Sequence, residues 1–238
     1  MEFILLLVAA YFAAVVSGMA GFGGALLLLP FLIETVGAAH AVPLLTIVQL
    51  IGNLSRVFFG FSQIQWKPVS LFLVSAIPFS ILGALSFLEL PKDLITRFIG
   101  AAILLFVALK YIGAINLKAS HLLLVVGGGF VGFLSGLIGS AGPLGAAIFL
   151  SLGLPPIAYI ASEGITALAM HGVKLAVYQK YITLSPDLWI LAATMGLVVI
   201  VGTWSAKQVI QHISQNAFER YVAILLVIIA LYMIIHGF

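Results

Sequence analysis

Long apolar stretches alternate with short polar or proline-containing breaks along this chain. The breaks fall near residues 34–42, 62–68, 89–96, 113–120, 153–157, 181–187 and 207–217. They mark out about eight hydrophobic elements, roughly 3–33, 43–61, 69–88, 94–112, 121–152, 158–180, 188–206 and 218–237. Each matches the ~20 residues that a membrane-spanning helix needs, except the first and fifth, which are too long. Residues 3–33 and 122–162 contain no Asp, Glu, Lys, Arg or His. As one helix the first run would extend about 46 Å, beyond a ~30 Å hydrocarbon core. Both long elements must therefore tilt strongly, break or turn back. Trp66 and Trp189 fall at element ends, where interfacial aromatics concentrate.

Composition turns this pattern into a class. Of 238 residues, 63% are hydrophobic and 7% charged, against roughly a quarter charged in soluble domains. The chain reads as an all-α membrane protein. Its first 15 residues lack a basic n-region, carry Glu2 and meet no polar mature sequence, so they read as a retained first helix rather than a signal peptide. The absence of cysteine excludes disulfides, thiolate metal sites and iron–sulfur clusters. A net charge of +3, scattered and without a basic tail, excludes a nucleic-acid partner.

The two over-long elements are copies of one feature. A shift of 118 residues brings Ser17-Gly18 onto Ser135-Gly136, Gly21 onto Gly139 and Gly24 onto Gly142. The same shift sets Phe31-Leu32 on Phe149-Leu150, Arg56 on Lys174, Ile64 on Ile182 and Pro68 on Pro186. The register then drifts by three to five residues, with Arg97-Phe98 falling near Arg220-Tyr221. Matched basic, proline and Ser-Gly positions at one offset indicate duplication, with repeats at 1–116 and 117–238 of four hydrophobic elements each. Four full crossings per half would make the repeats parallel. Re-entrant hairpins at the long elements would leave three crossings and inverted repeats. Lys and Arg do not decide between these by the positive-inside rule.

The glycine runs, Gly18–Gly24 and Gly136–Gly145, interrupt both long elements at matched positions. Glycine admits backbone angles that break a helix and lets other groups approach the chain. Irregular backbone at membrane depth is tolerated where it is buried in protein or lines a cavity. A helix restarting there aims free N–H groups and its positive dipole end at the cavity, favouring an anion. Pro143 suits the first turn of such a helix. Glycines at this spacing also serve close helix packing, and either run alone reads that way; the matched pair reads as a broken-helix site.

The following elements hold most of the intramembrane polarity. Thr46, Gln49, Asn53 and Arg56 share one face of the second, and Glu163, Thr166 and Lys174 share a comparable arc of the sixth, with His171 at its margin. Under the offset, Asn53 pairs with His171 and Arg56 with Lys174. The candidate anion-binding residues are therefore Gly18, Gly21, Gly23, Gly24, Gln49, Asn53, Arg56, Gly136, Gly139, Ser140, Gly142, His171 and Lys174. Arg56 and Lys174 also lie within snorkelling reach of element ends. Glu163, near the start of its element, reads as a terminal charge rather than a proton-coupling carboxylate. Lys92, Asp93, Lys118, Lys180, Asp187, Lys207, Glu219 and Arg220 read as loop solvation.

Catalysis leaves little trace. Ser140 and His171 would be the pair for serine hydrolysis, but Gly139-Ser-Ala-Gly142 sets the serine one position early for a Gly-x-Ser-Gly pattern. Asp93 and Asp187, the only aspartates, fall outside the hydrophobic elements, and five separated histidines show no metal-ligand spacing. No enzyme activity, metal or cofactor is expected.

The motif Ser17-Gly18-Met-Ala-Gly21-Phe-Gly23-Gly24 with Pro30, its echo Ser135-Gly136-Leu-Ile-Gly139-Ser-Ala-Gly142-Pro143, and the element ends Gln63-Ile-Gln-Trp66 and Tyr181-Ile-Thr-Leu184 resemble the TauE/SafE family of the TSUP superfamily. The second copy departs from the fuller pattern at Ala141 and Pro143, and no proline matches Pro30. The resemblance implies a secondary transporter of the cytoplasmic membrane, multi-pass, moving sulfite, organosulfonates or small carboxylates, often outward. Alternating access around a site between the repeats near the bilayer midplane is the expected mechanism. An importer of carboxylates or another oxyanion and a passive anion channel are the rival readings. The expected partners are a small anionic substrate and the lipid bilayer, with a homodimer left open.

Overall fold

The computed structural model describes residues 2–86, 92–111, 120–138, 141–178 and 185–236. Ten α-helices and a short 3-10 turn, Phe61–Gln63, make up the described residues, which contain no strand. The helices are α1 (Glu2–Ala20), α2 (Gly24–Val36), α3 (Ala38–Gly60), α4 (Trp66–Leu85), α5 (Lys92–Tyr111), α6 (His121–Ile138), α7 (Gly142–Leu150), α8 (Pro156–Tyr178), α9 (Pro186–Ile210) and α10 (Gln215–His236). Stretches of α1, α3, α4, α9 and α10 are long and apolar enough to cross a bilayer. Exposed Phe, Leu, Ile and Val side chains cover their outer faces, and mean hydropathy is +1.29. Ten helices replace eight elements because both long elements are split at their glycine runs.

At the first split, Gly21 and Gly23 take φ of 89° and 92°, a region open to glycine but costly for side-chain-bearing residues. The chain then reverses. Gly24 abuts Ser17 and Ala13, and Leu28 lines the same cavity as Ala10, so α2 folds back along α1. At the second split, Pro143 occupies the first turn of α7, as expected from its missing N–H. The break expected at 34–42 is narrower: Gly37 alone, at φ 77°, turns α2 into α3, and Pro43 lies inside α3.

Contacts fix the helix directions. Gly60 meets Ile157 and Ala161 while Gly164 meets Arg56, so α3 and α8 are antiparallel. Arg97 donates to the Ile234 carbonyl at 2.6 Å and Gly100 lies against Ala230, so α5 and α10 are antiparallel as well. Conversely α1 and α9 run parallel, with Ala14 beside Gly202 and Gly18 beside Ala206, and so do α3 and α9. Helices α4 and α6 also run parallel: at Gly128, Gly132 and Gly136 a Cβ would collide with the carbonyls of Phe72, Ala76 and Ser80. Small residues every four positions permit this backbone-to-backbone approach.

Helix starts repeat at the 118-residue offset. Helices α2 and α7 begin at Gly24 and Gly142, and α3 and α8 begin at Ala38 and Pro156. Helices α3 and α8, matched by the offset, point in opposite directions, and so do α5 and α10, matched after the register drifts.

Candidate functional site

The first glycine break surrounds a buried cation. Arg56, on α3, is 4% exposed. Its guanidinium donates to the Gly21 carbonyl at 2.7 Å, to Glu163 Oε2 at 3.2 Å and to Ser17 Oγ. The glycines make this geometry possible. The positive φ of Gly21 belongs to the turn whose carbonyl accepts from Arg56, and a Cβ there would press on Tyr159 and Glu163 at 3.2–3.3 Å. A Cβ on Gly24 would come within 3.0 Å of the Ser17 hydroxyl, and Gly164 clears the way for the Arg56 stem.

The two breaks meet. A Cβ on Gly142 would lie 3.4 Å from Phe22 Cβ. Tyr159, 1% exposed, aims its hydroxyl at the Ala20 carbonyl at 3.0 Å and the Ala146 carbonyl at 3.3 Å, joining the end of α1 to α7. The start of α7 thus packs against the turn between α1 and α2, with the Arg56 cluster beside it.

Unsatisfied polar atoms concentrate on the same residues. Buried polar groups in folded proteins nearly always have partners. Among the described residues four buried side-chain atoms have none: Arg56 Nε, Asn53 Oδ1, His171 Nδ1 and Ser80 Oγ. Three of the four belong to residues singled out from the sequence, and Asn53 and His171 are related by the offset.

The other candidates are placed as follows. Gln49 is half-buried and lines a cavity beneath Arg56. Gly18 packs against Thr203 and Ala206 of α9, Gly23 against Ile229, and Gly136 against Ser80 and Ala84 of α4. Gly139 and Ser140 lie outside the described residues. Lys174 is buried, three turns beyond Glu163 on α8, about 16 Å along the helix, and is not among the partners of Arg56. At the positions offset by 118 from Tyr159 and Glu163 stand Ala41 and Leu45, both buried and apolar.

Several charge assignments need correction, and Lys92, Glu219 and Arg220 too lie within helices, α5 and α10, rather than loops. Glu163 is not a terminal charge: α8 begins at Pro156, and Glu163 sits two turns inside it, 2% exposed and paired with Arg56. Lys207 is not loop solvation: it lies in the last turn of α9, with Nζ 5.8 Å from the centroid of the Phe59 ring. Asp93 and Asp187 occupy the first turns of α5 and α9 rather than loops. Lys118, Lys180 and the Tyr181–Leu184 motif fall outside the described residues.

The described residues are 90% helical, without strands. The sequence pattern described as sulfite exporter TauE/SafE matches residues 6–233. This chain belongs to the TauE/SafE family. It is an integral membrane protein of a transporter family rather than an enzyme family. No curated protein and no solved structure matched it.

Glu163 could have been found from the sequence by one signal. It is the lone acidic residue between Asp93 and Asp187, in an apolar helix with a lysine three turns on. An intramembrane ionisable residue is functional by default, with a partner to be named. What the sequence did not supply was the partner, which comes from another helix.

Proposed function

We propose that this TauE/SafE protein is a secondary transporter of small anions of the sulfite and organosulfonate class, moving them outward across the cell membrane. Alternating access occurs about the point where the start of α7 meets the turn between α1 and α2. The halves 1–116 and 117–238 act as inverted repeats, each a re-entrant hairpin followed by three crossings. The observation that carries this reading is the concentration of unpartnered buried polar atoms on Arg56, Asn53 and His171, around a cation held by a broken helix.

In the closed form Glu163 serves as the resident counter-ion of Arg56. A buried ion costs several kcal/mol in desolvation unless it is paired. Substrate anion therefore binds by taking the place of the Glu163 carboxylate on the guanidinium, with the Ser17 hydroxyl and the Arg56 Nε–H as further donors. Asn53 and His171 complete the polar lining, and Lys174 supplies the second positive charge further along α8. Neutrality then requires the displaced Glu163 carboxylate to take up a proton or turn out to water, which ties binding to movement of α8 against α3.

The test is counterflow in proteoliposomes. Labelled sulfite should accumulate against unlabelled sulfite or a short alkyl sulfonate inside, with saturation. Conductance without counterflow would make the protein a channel, and counterflow confined to carboxylates would replace the substrate class.

A further inference from the structure

Two small cavities flank Arg56 along three parallel helices. The first, about 20 Å³, is lined by Ala10, Ala14, Gln49, Gly52 and Val199, together with Arg56 and Thr203. The second, about 10 Å³, is lined by Gly18, Phe59, Gly60 and Lys207, again with Arg56 and Thr203. Residue numbers rise from the first cavity to the second on α1, α3 and α9 alike, so the cavities are stacked end to end. Arg56 and Thr203 form the partition between them. Each has room for about one water at most. Arg56 is buried and retains an unpartnered Nε–H.

The corresponding groove in the other half is shut. At the offset of 118, Ala10, Ala14 and Gly18 become Gly128, Gly132 and Gly136, the residues that bring the α6 backbone onto α4. Two of the three positions on α1 carry methyl groups, and α9 packs on α1 through Gly202, against the Ala14 methyl and the Tyr11 carbonyl.

We infer that the anion travels through one lane only, between α1, α3 and α9, with Lys207 at one mouth, Arg56 as the gate and Gln49 beyond it. The α4–α6 pair is the sealed, fixed side. The lane rests on the anion-transport reading and deepens it. In the closed form the gate is locked by the bonds of Arg56 to Ser17, Gly21 and Glu163. On the far side of the Gln49 cavity, the buried residues Leu6, Leu32, Leu44 and Met195 form an apolar plug. Lys207, held over Phe59, meets the anion before Arg56 does and lowers the cost of leaving water.

Because the chain has no cysteine, single cysteines report the route directly. Thr203→Cys and Gln49→Cys are placed in the lane, and Ser80→Cys on the sealed side. Each variant is reconstituted and treated with sulfonatoethyl methanethiosulfonate, itself a small sulfonate, with labelling read by mass. Both lane cysteines should label to completion, and propanesulfonate should slow both, while Ser80→Cys stays unlabelled. The lane is overturned if Ser80→Cys labels as fast as Thr203→Cys, if neither lane cysteine labels, or if propanesulfonate leaves lane labelling unchanged. Size-exclusion profiles establish folding, and Gln49→Cys stands in if Thr203→Cys does not fold. Absence of sulfonate counterflow by the cysteine-free parent would instead refute the transport reading, since labelling is read independently of transport.

Discussion

Glu163→Gln preserves the shape of the side chain and removes the charge that balances Arg56. The pair is 3.2 Å apart, and its side chains are only 3% and 2% exposed, so solvent cannot take over from the lost partner. An exposed ion pair is worth about 0–1 kcal/mol, but removing one partner of a buried pair costs about 3–5 kcal/mol. The Gly21 carbonyl and Ser17 hydroxyl remain as acceptors for Arg56, so the lower end, about 3 kcal/mol, is expected here. Arg56→Met, which strands the carboxylate, should cost a similar amount. The double variant carries no buried charge at this point and should recover much of the loss, giving a coupling energy of about 2–3 kcal/mol in the double-mutant cycle. Equilibrium unfolding in mixed micelles measures all four proteins. Single variants that each cost less than about 0.5 kcal/mol and simply add would refute the claim that a buried pair locks this gate. Transport distinguishes the partners: Arg56→Met should lose counterflow, whereas Glu163→Gln should retain anion binding and become less able to release it.

Four further outcomes follow from particular contacts. Gly21→Ala adds a Cβ at φ 89° beside Tyr159 and Glu163 and should cost about 1–2 kcal/mol from the backbone alone, visible in a thermal melt, with transport lost. Tyr159→Phe removes the hydroxyl that bridges Ala20 and Ala146 and should lower stability by about 1–2 kcal/mol in mixed-micelle unfolding. Gly132→Ala should destabilise by about 1–3 kcal/mol in the same assay, although its counterpart at the offset is already Ala14, because the α6 backbone lies on the Ala76 carbonyl. Lys207→Ala should raise the KM for sulfite with little change in melting temperature, and an unchanged KM would remove it from the lane.

The fold was legible where a length limit or a backbone requirement could be read directly. Thirty-odd apolar residues exceed one upright spanning helix, which left tilt, break or return, and the matched glycine runs pointed to breaks at Gly21–Gly23 and before Gly142. The offset that matched Arg56 to Lys174 also matches the starts of α2 and α3 to those of α7 and α8. The relative direction of the stretches matched by the offset was not legible, because charge by loop was balanced; α3 and α8 are antiparallel. Glu163 and Lys207 were misread for a common reason. In a chain where almost every position is apolar, periodicity does not say which face meets another helix, and the depth of a charge depends on the neighbour that covers it. Glycine posed the same difficulty: Gly21 lies at the Arg56 cluster while Gly18 and Gly136 hold helices together, though all three sit in matched motifs.

The central claim is that substrate anion takes the place of Glu163 on Arg56. A structure of the reconstituted protein with bound bromoethanesulfonate, whose bromine marks the ligand, tests it directly. The account predicts the sulfonate on the Arg56 guanidinium beside Ser17, with the Glu163 carboxylate turned away from it. A sulfonate bound elsewhere, with the Arg56–Glu163 pair unbroken, would contradict it.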